Sequence, residues 1–331
     1  MTYESAGDIV SELADIAGSI RSSVERALQG KPEVVRLAVI TLLSEGHLLV
    51  EDVPGVGKTT LARALAASVE GRWQRVQFTP DLLPADVTGI TVYHQQSGRF
   101  EFRPGPVFAN IVLADEINRA SPKTQSALLE VMEEKHVTVD GREYPVPRPF
   151  TVVATQNPVE MDGTFRLPEA QLDRFMMRVS VGYPDPRTES DMLKYEANGP
   201  TVASIRPVIG LDVVQQMITQ IAKVHVADEI RDYIVAVTGA TRQLPEVRIG
   251  ASPRAGPALL RASRTAAAID GRGYVTADDI KDLAPAVLAH RLILTPQAEL
   301  AGVTDHDLVD RVISGLPTPT SQAAGQGNRR W

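Results

Sequence analysis

Asp52-Val53-Pro54-Gly55-Val56-Gly57-Lys58-Thr59-Thr60 is the stretch whose reading decides the fold. It stands between an apolar run, His47-Leu48-Leu49-Val50, and a segment whose Leu61, Leu65 and Val69 share one helical face, so the local order is strand, glycine-rich loop, helix. In that context the glycines let backbone N–H groups turn inward onto phosphate oxygens, and the helix N-terminus adds its positive dipole. Pro54, Gly55, Val56, Gly57, Lys58, Thr59 and Thr60 are the candidate phosphate-binding residues. Lys58 would reach the outer phosphates and Thr59 a magnesium ion. Asp52 replaces the first glycine of the strict loop pattern, so its carboxylate is expected to point away from the phosphates.

Outward from this loop, three more short apolar runs, Val76-Gln77-Phe78, Ile111-Val112-Leu113-Ala114 and Phe150-Thr151-Val152-Val153-Ala154, alternate with helical stretches. That alternation predicts a parallel sheet flanked by helices. Upstream, Ile9, Leu13, Ile16, Ile20, Val24 and Leu28 recur at helical spacing, and Pro32 opens a second helix through Leu43. Residues 91–103 and 136–146 read as two hairpins inserted on the core, the second with an Asp140-Gly141 turn. Pro184 and Pro186 mark a boundary, after which helical periodicity runs nearly to the end. The expected organisation is an α/β core with N-terminal helices over 1–185, a helical domain over 186–316 and a polar, disordered tail over 317–331. No internal repeat interrupts it.

Ile111–Ala114 ends in Asp115-Glu116. Beside a phosphate loop, an acid at a strand end can hold the magnesium shell, and one residue on, Glu116 can polarise water against the γ-phosphate. Asn157 follows the next core strand, where a neutral amide could orient that water; Asn before Pro is also ordinary turn chemistry. Arg174 and Arg254 each lie near a helix end, but among 34 cationic residues their spacing does not single them out.

Composition narrows the classes. The 331 residues suit roughly two domains, and 43% hydrophobic with 23% charged residues is a soluble globular balance. No apolar run approaches the roughly 18 residues of a membrane span and the N-terminus lacks a secretory pattern, so a cytoplasmic protein is expected. The absence of Cys rules out disulfides, thiolate metal sites and cysteine nucleophiles. The six histidines are scattered without metal-ligand spacing, and no Gly-x-Ser-x-Gly occurs. With 34 Lys plus Arg against 41 Asp plus Glu, the net charge of −7 argues against nucleic acid as the main partner.

Taken in order, Leu48 to Thr59, Ala114-Asp115-Glu116-Ile117-Asn118-Arg119-Ala120, Ala154-Thr155-Gln156-Asn157-Pro158 and Leu167-Pro168-Glu169-Ala170-Gln171-Leu172-Asp173-Arg174-Phe175 resemble the MoxR family of AAA+ ATPases. The resemblance spans roughly 20–310 and is weaker in the helical domain. It implies a P-loop NTPase (AAA+) fold, a five-stranded parallel sheet with a smaller all-α lid, with ATP and Mg2+ bound between them. It further implies a homo-oligomer, a hexameric ring, and chaperone-like remodelling or cofactor or metal insertion on a client protein, together with a von Willebrand factor A domain partner. By the same resemblance Asn157 is sensor one, Arg254 is sensor two from the lid of the same subunit, and Arg174 is the arginine finger offered to a neighbour, with Arg178 as its rival. The competing readings are a metal-chelatase motor subunit, a DNA-associated AAA+ motor and a nucleotide-dependent binding switch without turnover.

Overall fold

The structure is a computed structural model and describes residues 6–319 apart from 54, 97, 158–163, 166 and 195–201. Pro54 of the loop and residues 320–331 of the expected tail therefore lie outside the described residues. Five strands, β1 (Leu48–Glu51), β2 (Trp73–Gln77), β3 (Ile111–Asp115), β4 (Thr151–Gln156) and β5 (Met177–Val179), form one parallel sheet in the order β2-β3-β4-β1-β5. Sequence explains the placement. β3 and β4 are apolar runs buried on both faces, as interior strands of a parallel sheet must be, whereas β2 exposes Gln74, Arg75 and Gln77 and takes an edge.

Because strand side chains alternate, each central strand feeds two separate cores. Leu48, Val50, Ile111, Leu113 and Val153 face one cluster, and Leu49, Val112, Ala114, Val152 and Ala154 face the other. The first cluster takes in the N-terminal helices Ala6–Glu25 and Pro32–Leu43, the loop helix Lys58–Ser68 and the C-terminal helices, from Leu13 through Leu61 and Leu259 to Val312. The second holds Phe78, Phe150 and Phe175, all fully buried, against helix Pro122–Glu134. Truncating any of the three to Ala removes about 3–5 kcal/mol of packing.

Beyond Pro186 the described residues are mainly helical, the longer elements being Leu211–Ile221, Asp228–Ala240, Ala255–Ile269, Ala277–Leu288 and Asp305–Gly315. One antiparallel ribbon, Val247–Ile249 with Ile293–Leu294, interrupts the helices. Both hairpins form: Gly89–His94 pairs with Arg99–Pro104, and His136–Val139 with Arg142–Pro145. Asp140 and Gly141 take φ of 51° and 73°, the two positive values that a tight two-residue turn requires. No helix among the described residues is long and apolar enough to cross a membrane.

Candidate active site

The parallel sheet carries the loop, Asp115, Glu116 and Asn157 to one edge, the carboxyl ends of β1, β3 and β4. Gly55 and Gly57 have φ of 87° and 95°, so the backbone demands glycine at both; a Cβ on Gly57 would meet only Leu28 Cδ1, at 2.7 Å, the tip of a flexible side chain. The helix begins at Lys58, whose Nζ donates to the Asp52 carbonyl at 2.8 Å. Thr59 and Thr60 follow in its first turn, half-buried. The Asp52 carboxylate accepts from Ser180 Oγ (2.8 Å), the Gly182 N–H (2.5 Å) and the Val53 N–H (2.7 Å). It is thereby fastened to the chain just past β5. Burial pushes its pKa up, but these donors together outweigh burial and hold it below the usual carboxylate value.

Asp115 is buried, with Oδ1 accepting from Thr155 Oγ1 (2.6 Å) and Oδ2 from Arg75 Nε (3.1 Å) and Nη2 (2.7 Å). Glu116 sits in the left-handed region at φ 56°, an uncommon conformation for a non-glycine residue, and its N–H donates to Thr155 Oγ1 at 3.0 Å. Its carboxylate accepts from Gln77 Nε2 at 2.7 Å and lies 3.5 Å from Arg119 Nη1. Asn157 is buried at the end of β4. For a magnesium ion, the hydroxyl of Thr59 and the carboxylate of Asp115 are the hard oxygen donors such a cation takes. Among the described residues no cluster of three or more His, Asp or Glu side chains is placed to hold a metal ion.

Arg174 and Arg254 are brought together, at the opposite end of the sheet. Arg174 follows helix Glu169–Leu172 just before β5, and Arg254 is the N-cap of helix Ala255–Ile269. Their Nη2 atoms meet the two oxygens of one carboxylate, Glu133, at 2.9 and 2.6 Å. Both line a cavity shared with His47, which precedes β1, and Met176, which precedes β5. The length of β1 alone, roughly 13 Å at the rise of a strand, separates that end from the loop. The expectation that Arg254 serves its own subunit's loop is therefore corrected, since its helix starts at the amino end of the strands. Arg178 lies within β5, its guanidinium between Glu51 (3.1 Å) and Asp305 of the last lid helix.

Residues 47–177 match the family described as ATPase family associated with various cellular activities (AAA), and residues 239–312 match an AAA lid domain. The chain is 41% identical over 313 residues to Chaperone MoxR1 of Mycobacterium tuberculosis, covering 92% of this chain and 82% of that one. It belongs to the MoxR family of AAA+ ATPases. Uncharacterized protein YeaC of Bacillus subtilis is 45% identical, covering 95% of this chain and 98% of that one. The crystal structure of a candidate ATPase from Cytophaga hutchinsonii superimposes with a TM-score of 0.87 at 36% identity, covering 96% of this chain and 98% of that one.

Several residues that shape this MoxR-family site carry no motif. Gln77 and Arg75 act across an edge strand, and only the β2–β3 register, Gln77 opposite Asp115, places them. Arg291, almost fully buried, ties the lid to the segment before β5: Nε donates to Asp173 Oδ1 at 2.9 Å and Nη2 to the Phe175 carbonyl at 2.7 Å. Ser252 Oγ donates to the other Asp173 oxygen at 2.8 Å, so one acid fixes both the Arg174 segment and the turn that carries Arg254.

Proposed function

We infer that this MoxR-family protein hydrolyses Mg-ATP and spends the cycle on remodelling a partner protein. The observation that carries this reading is the division of the site. Lys58, Asp115, Glu116 and Asn157 gather at one end of the sheet, while Arg174 and Arg254 share Glu133 at the other. A second copy stacked head to tail would bring the two halves together, and repeated head-to-tail contacts close into a ring. A hexameric ring is the assembly we propose. The core and lid are taken to divide at 185/186.

In this reading the N–H groups of Gly55 to Thr60 cradle the phosphates and Lys58 leaves the Asp52 carbonyl for the β- and γ-oxygens. Thr59 and Asp115 would hold a magnesium ion, which would supply charge neutralisation to the phosphates. Glu116 Oε accepts the proton of the attacking water once Gln77 releases it, and Asn157 orients that water. Arg174 and Arg254 leave Glu133 to meet the charge that grows on a neighbour's γ-phosphate. The client is a protein of the same compartment, the cytoplasm, and a von Willebrand factor A domain protein is the partner we propose beside it.

Glu116→Gln tests the reading, because the amide keeps the shape and loses the base. Nucleotide binding measured by fluorescence titration should stay within a factor of about two, while turnover falls by roughly 10²–10⁴. The same variant loaded with ATP should retain a client through affinity purification. Undiminished turnover would remove Glu116 from the chemistry.

A further inference from the structure

Thr155 is fully buried near the end of β4, two residues before Asn157, and no step of the proposed chemistry uses it. Its one hydroxyl bridges Asp115 and Glu116. A backbone N–H can only donate, so the bond from the Glu116 N–H to Thr155 Oγ1 at 3.0 Å sends the hydroxyl proton the other way, onto Asp115 Oδ1 at 2.6 Å. The direction of this hydrogen-bond chain is thereby fixed. From the other neighbouring strand, the N–H of Phe78, just past β2, donates to the Asp115 carbonyl at 2.8 Å. The junction of the two acids is held from both sides, which keeps Glu116 at its φ of 56°, a region that a residue with a Cβ rarely enters.

Arg75 meets the same carboxylate off-centre. A guanidinium fork facing an acid commonly gives one N–H to each oxygen. Arg75 instead puts Nε (3.1 Å) and Nη2 (2.7 Å) on Oδ2 alone, while Thr155 holds Oδ1. A carboxylate has about four acceptor positions, two on each oxygen. The two N–H groups fill those of Oδ2 and the hydroxyl takes one of Oδ1, so the remaining position lies on Oδ1. We propose that Thr155 is the positioning residue of both acids: its hydroxyl keeps Asp115 Oδ1 out of the Arg75 fork, so that this oxygen is the one a divalent cation would meet, and the same bond chain aims Glu116. The inference rests on the reading of Asp115 as a magnesium ligand and Glu116 as a base. Valine in place of Thr155 keeps the shape and removes the hydroxyl, after which nothing competes with Arg75 for Oδ1 and a fork on both oxygens closes the remaining position.

Magnesium-linked nucleotide affinity tests this without turnover. The full chain is titrated calorimetrically with ADP in magnesium and in EDTA, and the ratio of the two Kd values is the magnesium gain. Thr155→Val should shrink that gain about tenfold or more, and turnover at saturating ATP should fall by roughly 10–100-fold, while affinity in EDTA stays within about a factor of two. Thr155→Ser should keep both gain and turnover within about threefold, although the methyl-sized hole it leaves lowers the thermal midpoint. Adding Arg75→Gln to Thr155→Val should return the magnesium gain, because the fork is gone, but not the turnover, because the Glu116 N–H still lacks its acceptor. Wild-type gain and turnover in Thr155→Val overturn the proposal. So does a Thr155→Ser protein as impaired as Thr155→Val, which would assign the residue to packing, or a double variant whose gain does not return. A wild-type chain that binds ADP equally in magnesium and EDTA would instead overturn Asp115 as the magnesium ligand, and the inference with it.

Discussion

At the scale of single residues, Asp52 shows how a departure from a loop pattern is absorbed. Its carboxylate turns to Ser180 and Gly182 while its carbonyl holds Lys58, so the acid fastens the loop's first residue to the chain after β5. Asp52→Ala leaves three donors, Ser180 Oγ and the Gly182 and Val53 N–H groups, near a buried position without that acceptor and should cost about 1–3 kcal/mol. Denaturant midpoints of the variant against wild type measure this, and an unchanged midpoint would make the bonding incidental. The loop was legible in sequence because its chemistry is local: two glycines, a lysine and two threonines within six residues. Asp115 and Glu116 were legible for the same reason. The groups that hold them, Arg75, Gln77 and Thr155, come from other strands, and nothing short of the register reveals which residues stand level with an acid. Glu133 was invisible too, a glutamate on an exposed helix turn until two arginines from distant segments meet it.

Among elements, legibility followed length and burial. The continuous apolar runs of β1, β3 and β4 announce interior strands, whereas β2 alternates and only its carboxyl-terminal part stood out. β5 has three residues and could be anticipated only through the family resemblance, since a run that short has no measurable period. Both hairpins were readable from turn residues, but not their contact. Phe102 stacks on Tyr144 with ring centroids 4.0 Å apart, which joins the two insertions into one body. The outer side of the first hairpin carries Tyr93 and Phe100, 52% and 75% exposed and 5.0 Å apart. Exposed aromatics of this kind anchor partners far better than they stabilise a monomer. Tyr93→Ser with Phe100→Ser should therefore leave the melting temperature within about a degree, because surface substitutions stay within about 0.5 kcal/mol. Client retention by ATP-loaded Glu116→Gln protein should fall at least about tenfold, the loss of one hot-spot side chain. Equal retention would remove this hairpin from the contact surface.

For the whole molecule, the sheet stands between the loop and the Glu133 cluster, the two half-sites of the proposed reading, and the lid contacts the second. Arg291 grips Asp173 and the carbonyls of Phe175 and Met176, so the Arg174 segment is tied to the lid helices. Arg178, by contrast, closes the core onto the lid through Glu51 and Asp305 of its own chain, which makes Arg174 the better candidate for reaching a neighbour. A group acting in trans leaves a distinctive signature. Arg174→Ala alone should lower turnover by roughly 10³–10⁵ with nucleotide affinity preserved, and Glu116→Gln alone should also be inactive. When the two variants are mixed in equal amounts and exchange subunits, about one quarter of the interfaces in a random ring pair an intact Glu116 with an intact Arg174. Steady-state phosphate release should then recover to as much as about a quarter of the wild-type rate, at protein concentrations where either variant alone gives none. Substituting Arg178→Ala for Arg174→Ala in the same mixture should give no comparable pattern, because its loss weakens the core-lid closure within each subunit instead. Absence of recovery with Arg174→Ala, once subunit exchange is verified by labelled chains, would place that arginine's action within its own subunit.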